Sequence, residues 1–156
     1  MEIEDLISKN EIHELQMRFL HAMDRQEWEK VRACFAAGAT HDHGTWRGPI
    51  EEFIEREKKN YSRFEINTHF AGNELIELAG DTARCELYSI CLHRVMADGD
   101  MAAFDSISGM RFLDSLERRD RRWRITDRRV VIDWSRADPV TRQELTWPAA
   151  PRNTAS

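Results

Sequence analysis

Three cysteines in 156 residues, Cys34, Cys85 and Cys91, are odd in number and contain no CxxC pair. That suggests neither a disulfide framework nor a thiolate zinc site, and reduced thiols are expected. Long apolar runs are also missing, and no stretch approaches the roughly 20 residues that a membrane-spanning helix needs. The start, MEIEDLISKN, is acidic and lacks the basic, apolar, small-residue order of a secretory signal. A soluble, cytoplasmic protein is expected. An excess of positive charge is absent as well: the formal net charge is -5. Phosphate backbones require a clustered positive field, so nucleic acid is disfavoured as a partner. The arginine-rich stretch Arg118 to Arg129 does not change this, because acidic residues interrupt it and it crosses a hairpin turn.

What remains is the composition of one domain with a real core. From Ile3 to about Met23, Leu6, Ile12, Leu15, Met17, Phe19, Leu20 and Met23 recur at helical spacing, with Glu4, Glu11, Arg18 and Arg25 as the solvated face. A second helix is expected over about Glu27 to Ala37, ending at Gly38, and a third over about Ile50 to Arg63, opened by Pro49. After Ser62 the pattern changes to long β segments: Glu65 to Leu78, Thr82 to Met96, Met101 to Glu117 and Trp123 to Trp134. Helices first and strands later predict an α+β fold with an antiparallel sheet. Strands of this length must curve, which makes a cone-shaped sheet wrapped on three N-terminal helices and enclosing a pocket. The predicted organisation is a single domain over 1–156, helical in 1–63, sheet in 64–135, with a loose tail in 136–156.

Asp24 ends the first helical stripe and faces the apolar side, where a carboxylate is costly unless paired. Its spacing to Glu27 also fits a capping box, so local reasoning favours a helix cap. In the first long strand, alternation places Asn67, His69 and Ala71 on one face. In the second, Ala83, Cys85, Leu87, Ser89 and Cys91 form a small-residue face ending in His93, which is expected to be concave. Arg128, read as sharing a face with Thr126, Val130 and Ile132, needs an anion, for which a buried carboxylate is the obvious candidate. His41 and His43 form an HxH pair without further spaced ligands, so no metal site is assigned and both are placed at the pocket mouth.

The phrases AMDRQEW, VRACFAAGATHDHGTWRG, NTHFAGNELIEL with GDTARCELYSICLHR, and GMRFLDSLERRDRRWRITDRRVVIDWSR, taken in order, resemble the SnoaL-like branch of the nuclear transport factor 2-like superfamily. The resemblance covers about residues 3 to 135. Within it the chain looks most like the subgroup of scytalone dehydratase, lindane dehydrochlorinase and bile-acid dehydratase. That likeness implies that Asp24 orients His69, and that Arg128 and His93 complete a catalytic set. It departs at Phe19, where those enzymes carry a tyrosine or lysine that helps a leaving group depart.

The expected function is a cofactor-independent lyase or isomerase acting on a small, largely apolar cyclic molecule. The alternatives are polyketide cyclase-like aldol chemistry or a non-catalytic small-molecule-binding or accessory protein. Phe19, Leu20, His43, Trp46 and Asn67 are expected to contact the ligand. So are Ser89, Cys91, Met110 and Phe112. Tyr88, Ile90 and Leu92, assigned to the convex side, imply a homo-oligomer, and the resemblance favours a trimer over a dimer.

Overall fold

The computed structural model describes residues 2–140. Its first element, α1 (Ile3–Arg25), buries Ile12, Leu15, Phe19, Leu20 and Met23 along one stripe. It stops at Gln26, whose left-handed backbone (φ 57°) turns its N–H back to the Ala22 and Met23 carbonyls. Leu6 departs from the expected stripe: it is half exposed, together with Ile3 and Ile7.

The second helix, α2 (Trp28–Ala33), is shorter than its sequence suggested. Residues read as its second half form β1 (Phe35–Asp42), which turns Phe35, Ala39 and His41 inward. Gly38 therefore ends no helix; its φ of 73° falls where the register of β1 against the last strand shifts, between Phe35 and Thr40. A short β2 (Arg47–Pro49) pairs antiparallel with β1, and Pro49 then caps α3 (Ile50–Tyr61). That helix buries Ile50, Phe53, Ile54 and Tyr61 and exposes most of its charged residues.

Four long strands follow: β3 (Phe64–Ala79), β4 (Thr82–Val95), β5 (Phe104–Arg119) and β6 (Arg122–Pro139). The sheet order is β2-β1-β6-β5-β4-β3. Every pairing is antiparallel except β1 with β6, which is parallel. The predicted α+β cone is thus formed, with one parallel contact that the sequence reading did not foresee. Residues 136–139, expected in the tail, belong to β6; residues 141–156 lie outside the described residues.

Bulges bend the sheet and also reset which side chains point inward. At the irregularity between Gly72 and Glu74, Asn73 adopts a φ of 48°, and the inward phase passes from Asn67, His69 and Ala71 to Ile76 and Leu78. Register shifts at Gly109/Met110 and Ser115/Leu116 do the same along β6. Trp123 and Ile125 point inward before the second shift, Arg128 and Val130 after it. Arg128 therefore shares its face with Val130 and Ile132, which follow it in unbroken register, but not with Thr126, which lies before the shift. The core fills the concave side, where Ile12, Leu15 and Phe19 meet Phe35, Phe112, Leu116 and Ile125.

Candidate functional site

Asp24 projects from the last turn of α1 toward the middle of β3. His69 Nδ1 lies 2.6 Å from Asp24 Oδ1, and the His69 backbone N–H donates to Oδ2 at 3.1 Å. The carboxylate thus uses both oxygens on one residue. The helix-cap reading is not realised: α2 begins after Glu27 without a side-chain cap bond. Because a carboxylate accepts, Nδ1 carries the hydrogen and Nε2 is the ring atom left for chemistry. The pair is sheltered but reachable, with the His69 side chain 6% and the Asp24 side chain 24% exposed.

Burial works most strongly against a charged His69 ring. The Asp24 hydrogen bond, the Cys91 sulfur across the β3–β4 pairing and the Asp24 charge together outweigh it, raising the pKa to about 9.

His93, on β4, meets His69 edge-on with ring centroids 5.5 Å apart. It stacks on Phe64 at 4.6 Å and touches the edge of Tyr61 at 5.5 Å. Its Nδ1 lies 3.1 Å from Asn67 Oδ1, so Nδ1–H donates to that oxygen. Burial first, then the neighbouring His69, push its pKa down to about 4, and the ring is neutral at physiological pH. Two histidines 5.5 Å apart are thereby held in opposite charge states, the pattern by which one site carries both a proton store and a neutral hydrogen-bonding group.

The expected ligand-contacting residues differ in burial and in partners. Phe19, Leu20, Ser89, Cys91, Met110 and Phe112 are all buried. Cys91 Sγ sits between Ser89 Oγ at 3.7 Å and Met110 Sδ at 3.5 Å, and Ser89 Oγ donates to the Phe70 carbonyl at 3.3 Å. Asn67 is committed to His93. Trp46 folds over Gly48 and lies under Arg56, 5.0 Å from the ring centroid. His43 is not simply a mouth residue: its Nδ1 is buried and unpartnered, and burial lowers its pKa. His41, 5.6 Å from His43, lies flat on Phe53 and is pushed down to about 2 by burial, with Arg128 and His43 adding to the effect. Among the described residues no cluster of three His, Cys, Asp or Glu side chains could hold a metal.

Arg128 is held by a different set of partners from the Asp24–His69 pair. It is fully buried, its Nε and Nη2 donate to Asp114 at 2.7 and 2.6 Å, and Nη2 also reaches Gln16 at 2.6 Å. Its guanidinium faces Phe19 at 4.1 Å and Phe112 at 4.7 Å. The buried carboxylate anticipated for it is therefore Asp114, on β5. Sequence reasoning missed Asp114 and Gln16, and also Glu57 and Tyr61 on α3. For the last two the available signal was the i, i+4, i+8 series Phe53, Glu57, Tyr61.

Two surface grooves lie away from this constellation. The larger, about 970 Å³, runs between α1, α2 and the β5–β6 hairpin and is bordered by Arg18, Arg25, Arg122 and Arg124. The smaller, about 530 Å³, lies along the far ends of β3, β4 and β5. Neither holds Asp24, His69 or His93. The candidate site is assigned by the hydrogen-bonded pair because size alone supplies no reactive group.

A curved sheet closed by three helices, carrying an inward carboxylate and histidine, defines a cone of the nuclear transport factor 2-like type. The chain belongs to the SnoaL-like domain family, whose profile matches residues 4–129. A structure named as a scytalone dehydratase, from Novosphingobium aromaticivorans DSM 12444, superposes with a TM-score of 0.78 at 16% identity, covering 92% of this chain and 100% of the other. A hexachlorocyclohexane dehydrochlorinase, LinA type 2, gives 0.79 at 14% identity, covering 96% and 100%. A variant of Rv3472, a Mycobacterium tuberculosis protein of unknown function, gives 0.72 at 22% identity, covering 83% and 74%. At these identities the likeness shows the fold. No curated protein matches the chain. No described helix is long and apolar enough to cross a membrane.

Proposed function

We propose that the protein is a cofactor-independent lyase or isomerase that moves a proton on a small, largely apolar cyclic molecule, with His69 as the proton-transfer group and Asp24 as its orienting partner. The observation that carries this reading is the two-point hold of Asp24 on His69, through the ring Nδ1 and the backbone N–H. A helix cap or a surface ion pair needs no such arrangement. It fixes the tautomer and leaves Nε2 free, as general acid–base catalysis requires.

In its neutral form His69 removes a proton from carbon next to an electron-withdrawing group. The imidazolium so formed is stabilised by Asp24. Neutral His93, anchored by Asn67, supplies a hydrogen bond to charge developing on the substrate. Arg128 contributes through the faces of Phe19 and Phe112, against which its guanidinium lies. The elimination chemistry named for the dehydratase and dehydrochlorinase neighbours is of this kind.

The test is deuterium exchange at the carbon next to the carbonyl, followed by mass spectrometry over a panel of cyclic ketones in D₂O. Protein-dependent exchange that disappears in His69→Ala supports the reading. Retained ligands but no exchange with any member would favour the binding-protein alternative.

A further inference from the structure

The fold sorts the arginine-rich run Arg118 to Arg129 by partner. Arg118, Arg119 and Arg128 are engaged by the carboxylates of Asp81, Glu117 and Asp114. Arg121, Arg122 and Arg124 line the groove of about 970 Å³ between α1, α2 and the β5–β6 hairpin, and among the described residues none of them meets a carboxylate. Arg124 donates to the Trp123 carbonyl at 2.9 Å. From α1, Arg25 joins them; its Nη1 donates to His21 Nδ1 at 2.6 Å, again not to a carboxylate. Of the acidic residues on the groove, Glu14 and Glu27 already face Arg18 and Lys30, which leaves Glu11 alone against this set.

Exposed arginines are ordinarily solvated, but solvation does not account for two other features of the groove. Trp123, only 3% exposed, lines it, and the indole Nε1 is buried with no hydrogen-bond partner among the described residues. That N–H can only donate, and leaving it unpaired is costly, so an acceptor oxygen is what the position calls for. Arg121 is the second feature. Arg119 pairs with Arg122, so Asp120 and Arg121 form the hairpin loop, and both have left-handed backbones, with φ of 50° and 60°. Glycine is the favoured second residue of such a turn, yet an arginine is held there, on the groove, against its backbone preference.

We infer that this groove binds a compact, multiply charged phosphate, either a diphosphate or the phosphate end of a small molecule, at a site that includes none of Asp24, His69 and His93. Guanidinium forks match phosphate oxygens two at a time, and several unpaired forks around one groove suit a multivalent anion better than a single carboxylate. The Trp123 N–H gives one phosphate oxygen a neutral donor. The volume lies within the roughly 300–1,000 Å³ of small-molecule sites. A long polyanion fits poorly, because the chain carries a net charge of -5 and Glu11, Glu14 and Glu27 border the same groove.

Inorganic pyrophosphate is the probe, added to the intact protein and followed by NMR of the indole N–H groups. The Trp123 signal, assigned by its absence from Trp123→Phe, should move saturably, while those of Trp46 and Trp134 stay in place. In calorimetry Arg121→Gly, which puts the favoured residue into the turn, should fold at least as stably as the parent and bind pyrophosphate at least about tenfold more weakly, the loss expected for one charge-assisted contact. Acetate should not compete. A Trp123 signal that does not move at millimolar pyrophosphate, or equal binding by Arg121→Gly, overturns the inference. So does acetate binding as tightly as pyrophosphate, or a single-stranded oligonucleotide binding more tightly. Should Trp123→Phe fail to fold, the parent titration and Arg121→Gly decide alone. None of these outcomes bears on the Asp24–His69 reading, which stands or falls separately.

Discussion

The Asp24 carboxylate is bound to His69 twice, 2.6 Å from the ring Nδ1 and 3.1 Å from the backbone nitrogen. A side chain held through its own backbone and its own ring cannot rotate without losing one of the bonds. Asp24 therefore fixes both where His69 is and which nitrogen it offers.

One consequence is a pH dependence of opposite sign for activity and stability. With a folded pKa of about 9 against about 6.5 unfolded, His69 stabilises the fold fully below pH 6.5, and that stability is lost as pH rises through 9. The loss is on the order of 3 kcal/mol. Proton abstraction needs the neutral ring, so exchange activity should rise over the same interval. Urea unfolding from pH 6 to 10 and the pH–rate profile check the two signs. A rate that falls from pH 7 to 9 would contradict His69 as the base.

Arg128 gives a second prediction. Removing one partner of a buried pair leaves the other charge uncompensated, so Arg128→Ala should cost about 3–5 kcal/mol in urea unfolding. Replacing both Arg128 and Asp114 with apolar residues should recover much of it. If Arg128→Ala instead kept its stability and lost activity, Arg128 would belong in the catalytic set that the family likeness implies.

The convex face yields a third. Phe70, Ile90 and Trp134 lie in one cross-strand row with Gly109, and all three side chains are exposed. Trp134 lies across Gly109, where any added side chain would strike the indole. Such a row is expected to be covered by another copy of the chain. Light scattering should give a homo-oligomer at micromolar concentration, dissociated by Ile90→Glu. A monodisperse monomer in the parent protein would remove the interface.

Legibility in the sequence followed the physics of each element. Long β segments with clear turns exposed the cone, and the order of four phrases located Asp24, His69 and His93. The first half of β1 was hidden because Ala36, Ala37 and Gly38 carry no branched or aromatic pattern and follow directly on a helix. Asp114 and Gln16 stayed invisible because their meeting with Arg128 depends on the bulge at Ser115/Leu116, which alternation cannot count across. Glu57 was lost in the charged run EEFIEREKK, where one inward carboxylate looks like its solvated neighbours.

The most direct test of the central claim is the titration of the His69 ring by NMR in the parent protein and in Asp24→Asn. The variant keeps shape and removes the charge. The predicted result is an inflection near 9 in the parent that falls by more than one unit in Asp24→Asn, with the fold intact by circular dichroism. An ordinary histidine titration, the same in both proteins, would show that Asp24 does not govern the protonation of His69, and the acid–base account would fail.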